Sequence, residues 1–124
     1  MKKEVKDFLE AVPKTMMDMK SQWFKQGHLN VYLRKGFTYL SKDSICVSVT
    51  LSSCEVTSRK FLGKGNVKNI LPEFETFVKD LGYEAIIAEN IIPHQLREYM
   101  SRNGYQDFNR GQEIDISSTL IKLL

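Results

Sequence analysis

Apolar positions recur at two different spacings along the chain, and the change between them divides it into elements. Over residues 2 to 26 the spacing is helical. Val5, Phe8, Leu9 and Val12 form one stripe, and Met16, Met19 and Trp23 form a second. Pro13 cannot continue the first helix but suits the first turn of another, and Gly27 closes the segment, so two helices are expected. From Asn30 the period is two. Val31, Leu33, Phe37 and Tyr39 share one parity, SKDS at 41–44 supplies a turn, and Ile45, Val47, Val49 and Leu51 line one face of the returning strand. The parity then flips to Cys54 and Val56. A one-residue bulge near Ser52–Ser53 produces such a flip; an ordinary strand end is the alternative.

The second half reads in the same way. Val67, Ile70, Leu71, Phe74, Phe77, Val78 and Leu81 suit a helix ending at Gly82, with Pro72 either kinking it or opening its regular part. YEAIIAENI, 83–91, is a short continuous apolar run, as in a strand covered on both faces. Pro93 through Asn103 follow as a helix stopped by Gly104, and YQDF and EIDISSTLIKLL as two closing strands around a turn at Asn109–Arg110–Gly111. The order α-α-β-β-α-β-α-β-β predicts an α/β (α+β) domain, a mixed sheet with helices on its faces, with a right-handed parallel crossover over 44–89. A single domain over 1–124 is expected: a helical N-terminal part at 1–27, a core at 28–110 and a closing strand at 111–124.

Composition narrows the class. With 124 residues, 42% hydrophobic and 27% charged, the chain can build one core and reads as neither disordered nor membrane-embedded. MKKEVKDFLE lacks the continuous apolar centre of a secretory signal, so a cytoplasmic protein is expected. Cys46 and Cys54 lie eight apart on one expected strand, too far to bridge, and read as free thiols. A net charge of +3 is too mild to indicate nucleic acid, and no metal-ligand spacing occurs.

The stretch SRKFLGKGNVKNIL, 58–71, stands apart. Gly63 and Gly65 lie among Arg59, Lys60, Lys64 and Lys68, with no acidic residue between Glu55 and Glu73, where a strand gives way to a helix. Glycine lets main-chain N–H groups converge on an anion, and a helix N-terminus adds positive potential. Gly63 to Val67 therefore suit a phosphate cradle; a basic surface turn is the plain alternative.

This stretch, followed by a buried strand and then ENIIPHQLREYMSRNGY, resembles the Gcn5-related N-acetyltransferase (GNAT) family, whose signature is Gln/Arg-x-x-Gly-x-Gly/Ala before a helix. Lys60, Gly63 and Gly65 take the motif positions and Gly104-Tyr105 the later Gly-Phe pair. The lead-in VYLRKGFTYLSKDSICVSVTLSSCEV resembles short phage-encoded members, which would place the protein in a host cytoplasm. The resemblance implies acetyl-coenzyme A as cofactor. Its diphosphate would lie on Lys60, Gly63, Lys64, Gly65, Asn66 and Val67, with Asn90 nearby. Its pantetheine arm would pair with the strand edge around Cys54 and Val56, in a gap between that strand and the one at 84–89. Glu55 and Glu89, beside that gap, are the candidate general bases for an amine-bearing acceptor, a protein or a small molecule. The sequence departs from the family at Leu62, Val67, Pro93 and Met100, the last standing where a Tyr acid is usual with Tyr99 one residue away. A second function is therefore carried beside the first: a GNAT-like module without catalysis that acts through protein contact, on a host protein or as a homodimer.

Overall fold

A computed structural model describes residues 1–56, 66–89, 94–108 and 119–124, with the side chains of 54–56, 66–67 and 94–95 outside that description. Among the described residues the elements are α1 (Lys3–Glu10), a single 3-10 turn (Met16–Asp18), β1 (Lys20–Gln26), β2 (Leu29–Ser41), β3 (Ser44–Val56), α2 (Asn66–Leu81), β4 (Ala85–Ala88), α3 (His94–Arg102), β5 (Gln106–Asp107) and β6 (Leu120–Leu123). The strands form one mixed sheet in the order β1-β2-β3-β4-β6-β5. Only β3 and β4 run parallel; the other neighbours are antiparallel.

The second expected helix is a strand instead. After one turn capped by Thr15 and Asp18, the chain pairs Lys20–Gln26 against Leu29–Lys35 and turns through Gly27 and His28. Gly27 takes a φ of 62°, as a tight two-residue hairpin needs. Met19 and Trp23 are four residues apart, which fits one helical turn and also two full periods of a strand, so their spacing could not separate the two. Burial could. Met16, Met17, Met19 and Trp23 are all exposed, and Phe24 is the β1 residue that enters the core.

The register sorts the strand side chains onto two faces. Val31 and Leu33, Val49 and Leu51, Ile86 and Ala88, and Leu120 share one face and form the main core with Val5, Leu9, Leu71, Phe74, Val78 and Met100 of the three helices. The opposite face carries a smaller cluster of Cys46, Ala85, Ile87 and Ile121. Every residue of β4 is therefore buried, as its continuous apolar run predicts. Cys46 is a free thiol whose pKa burial pushes up.

α2 continues through Pro72 as one helix. The carbonyl that loses its donor there belongs to Lys68, and both residues are exposed, so water can take the donor's place. The helix ends as expected at Gly82, φ 100°, where the N–H groups of Gly82 and Tyr83 donate to Lys79 O and Val78 O at 3.0 and 3.1 Å. α3 closes in the same way at Gly104, φ 95°, with Tyr105 N–H donating to Met100 O.

At eight residues α1 is too short to persist alone, and its C-terminal carbonyls are held from outside. Lys35 Nζ donates to Phe8 O and Ala11 O at 2.5 and 2.8 Å, and Tyr83 Oη donates to Leu9 O at 2.9 Å. Desolvation pushes the Lys35 pKa down, while the carbonyls and the Phe8 ring, 4.5 Å away, satisfy its ammonium. Two buried tyrosines differ here. Tyr83 is hydrogen-bonded, whereas Tyr105 Oη has no partner among the described residues.

Tyr83→Phe should therefore cost about 1 kcal/mol in urea unfolding at pH 7, and Tyr105→Phe should be neutral or stabilising by up to about 1 kcal/mol. Burial pushes the Tyr83 pKa from 10.0 up to about 12. Folded Tyr83 thus keeps a proton that the unfolded chain gives up, and stability present below pH 10 is lost as pH rises through about 12. Tyr83→Phe should remove that part of the slope.

Candidate functional site

The site begins where the parallel ladder stops. β3 and β4 pair at Ser48–Ala85, Val49–Ile86, Thr50–Ile87 and Leu51–Ala88, and Glu89 N–H closes the run on Leu51 O at 2.9 Å. β3 itself continues to Val56, paired there only with β2 among the described residues. At that same point the β2–β3 register shifts: Leu33 faces Leu51, but Tyr32 faces Ser53, which leaves Ser52 as an inserted residue. This is the bulge expected from the parity flip. A bulge of this kind is a place where a strand bends and twists, and it falls just beyond the last β4 pair.

Glu89 stands at the end of this ladder. Arg34, Thr50 and Ile87 lie in register across β2, β3 and β4, so they share a face, and Glu89 is two residues beyond Ile87 on that face. The Arg34 guanidinium crosses β3 above the buried Thr50 and pairs with the Glu89 carboxylate. The side chains are 39% and 19% exposed, so the pair is open to a ligand from the solvent side. Beside it, Trp23 and Tyr32 pack at a 43° tilt with ring centroids 5.1 Å apart, and Tyr32 Oη donates to Ser21 Oγ at 2.8 Å. Arg34 carries no motif. The one sequence signal for it is its parity, opposite to the core residues Val31 and Leu33.

The other expected residues are spread over several surroundings. Lys60, Gly63, Lys64, Gly65 and Asn90 lie outside the described residues, as does the turn at 109–111. Glu55, Cys54 and Val56 are on β3 beyond the bulge, and Asn66 and Val67 open α2; only their backbone is described. The first turn of α2 contains no acidic residue, and the exposed Lys68 places its ammonium 5.3 Å from the Tyr99 ring. Met100 is fully buried in the core, while Tyr99 turns toward α2.

No family model matches the sequence, and no curated protein matches it. Solved structures share its fold. A mutant of the toxin AtaT, bound to the C-terminus of the antitoxin AtaR and to acetyl-CoA, is 13% identical with a TM-score of 0.55, over 77% of this chain and 57% of that one. A KacTA–DNA complex is 14% identical with a TM-score of 0.55, over 83% of this chain and 65% of that one. The chain thus spans less than two thirds of either structure's length. The shared architecture is the GNAT-like mixed α/β fold.

A double-mutant cycle with Arg34→Met and Glu89→Gln should give a coupling of about 1 kcal/mol or less in urea unfolding. A larger value would mark the pair as a structural brace rather than an accessible site.

Proposed function

We propose that the protein is an acetyl-coenzyme A-dependent N-acyltransferase that acetylates a primary amine. The observation that carries this is the end of the β3–β4 ladder at the Ser52 bulge, which leaves the β3 edge from Ser53 to Val56 without a β4 partner among the described residues. A β3 edge of that length suits an extended arm with amide groups, since it offers main-chain donors and acceptors in sequence. The acid-free first turn of α2 and the exposed Lys68 suit a diphosphate.

Each part of the chain then has a role. Residues 60–65 and the N–H groups of Asn66 and Val67 hold the diphosphate, with Asn90 as a further contact. Main-chain groups of Cys54 to Val56 line the arm. When bound, acetyl-coenzyme A supplies an acetyl group activated as a thioester. Glu89, held by Arg34, accepts a proton from the attacking ammonium; Glu55 is the alternative base. N–H groups beside the bulge donate to negative charge as it develops.

The second reading, a module that works by protein contact, is favoured by Met100. Its side chain is core, so the position where the related family carries an acid has none here. The AtaT structure, with its bound antitoxin segment, is consistent with a protein partner on this fold.

Coenzyme A at a hundred times its Kd should stabilise the folded chain by about 2.7 kcal/mol, a rise in Tm on the order of 8 °C. Gly65→Asp should abolish the rise by setting a carboxylate against the diphosphate. Glu89→Gln should lower thiol release from acetyl-coenzyme A with mixed amines by roughly a hundredfold, and comparison with Glu55→Gln assigns the base. An unchanged Tm at millimolar coenzyme A would leave the contact module as the surviving function.

A further inference from the structure

On the sheet face opposite the three helices, next to the Arg34–Glu89 pair, a pocket of about 390 Å³ opens between β2, β3 and the segment before β1. Its floor is Gly36 with the buried hydroxyls of Ser48 and Thr50, and Ser48 shares a 2.7 Å hydrogen bond with Thr38. Met19 forms a wall by packing directly on Gly36, where a Cβ would come within 2.9 Å of its side chain. Thr38 marks the far end and Arg34 the near end. The volume is that of a small-molecule site.

The charge of the lining is informative. Arg34 is the one permanently ionised side chain among the described lining residues, and Glu89 touches it from the end of the β4 ladder. A polyamine or a lysine-rich peptide would need several carboxylates here and would meet a guanidinium instead. A zwitterion fits both members of the pair. Its carboxylate can take the remaining donors of the Arg34 fork, and its ammonium a lone pair of Glu89. The Met19 thioether wall then suits an apolar side chain.

We propose that this pocket binds a free α-amino acid with an apolar side chain, as the acceptor for acyl transfer. This rests on the acyltransferase reading and specifies its substrate. The amine lies at Glu89, beside the β3 edge beyond the bulge. The ammonium gives one proton to Glu89, and its lone pair forms the bond to the acyl carbon. The carbon–sulfur bond breaks as the second proton passes from nitrogen to sulfur. The products are an N-acyl amino acid and a thiol, and Glu89 returns its proton to water.

Calorimetric titration of the full chain with leucine and phenylalanine, with and without coenzyme A, tests the pocket separately from the cofactor. Both amino acids should bind, and leucinamide, 4-methylpentanoate and spermidine should bind at least tenfold more weakly. Arg34→Lys should weaken leucine at least tenfold while leaving the coenzyme A shift in Tm unchanged. Met19→Ser, at an exposed position, should weaken leucine more than alanine and guards against misfolding of the Arg34 variant. With acetyl-coenzyme A, leucine should gain one acetyl mass. Leucinamide or spermidine binding as well as leucine, or an Arg34→Lys chain that binds leucine normally, would overturn the proposal even where coenzyme A binds. A missing coenzyme A shift with leucine still bound would sink the acyltransferase and keep the pocket.

Discussion

Four residue pairs between β3 and β4 join the two parts of the sheet, and the point at which they stop organises everything beside it. The β2–β3 hairpin costs little to form, because its strands are neighbours in sequence. The parallel pair does not have that advantage: β4 must return through α2, and its long loop closure is offset only by burying Ala85 to Ala88 on both faces. Once Leu51 has paired, β3 carries the Ser52 bulge and the ladder to β4 ends among the described residues. A short, deeply buried ladder and the bulge beside it are two consequences of one register.

The same register gives adjacent residues opposite surroundings. Lys35 points to the helix face, where it is buried and tied to the carbonyls at the end of α1. Arg34, one residue earlier, points to the other face, stays partly exposed and reaches Glu89. One cation is therefore spent on holding a short helix in place. The other retains donors for a ligand. The chemistry differs accordingly: an ammonium suits a cluster of carbonyls, and a planar fork suits a carboxylate.

Much of this was legible in the sequence. The parity flip allowed either a bulge at Ser52 or an ordinary strand end, and the β2–β3 register decided for the bulge. Gly82 and Gly104 marked helix ends, as residues free to take positive φ. The buried AIIA strand followed from its unbroken apolar run. Two readings turned on neighbours instead. Met19 and Trp23 could not distinguish helix from strand, and only pairing with β2 resolved them. Pro72 marked a break in the pattern, yet the helix continues because the carbonyl it frees belongs to the exposed Lys68.

What the chain determined by itself is local: alternation, turns, helix ends, and a glycine-rich segment before α2. What tertiary structure decided is who meets whom. Arg34 and Glu89 are 55 residues apart, and nothing in either neighbourhood names the other. They meet because β2, β3 and β4 align Arg34, Thr50 and Ile87 in one row, and a side chain long enough to cross a strand can then bridge it. Periodicity tells a residue which face it occupies. Only the register between strands tells it what stands opposite.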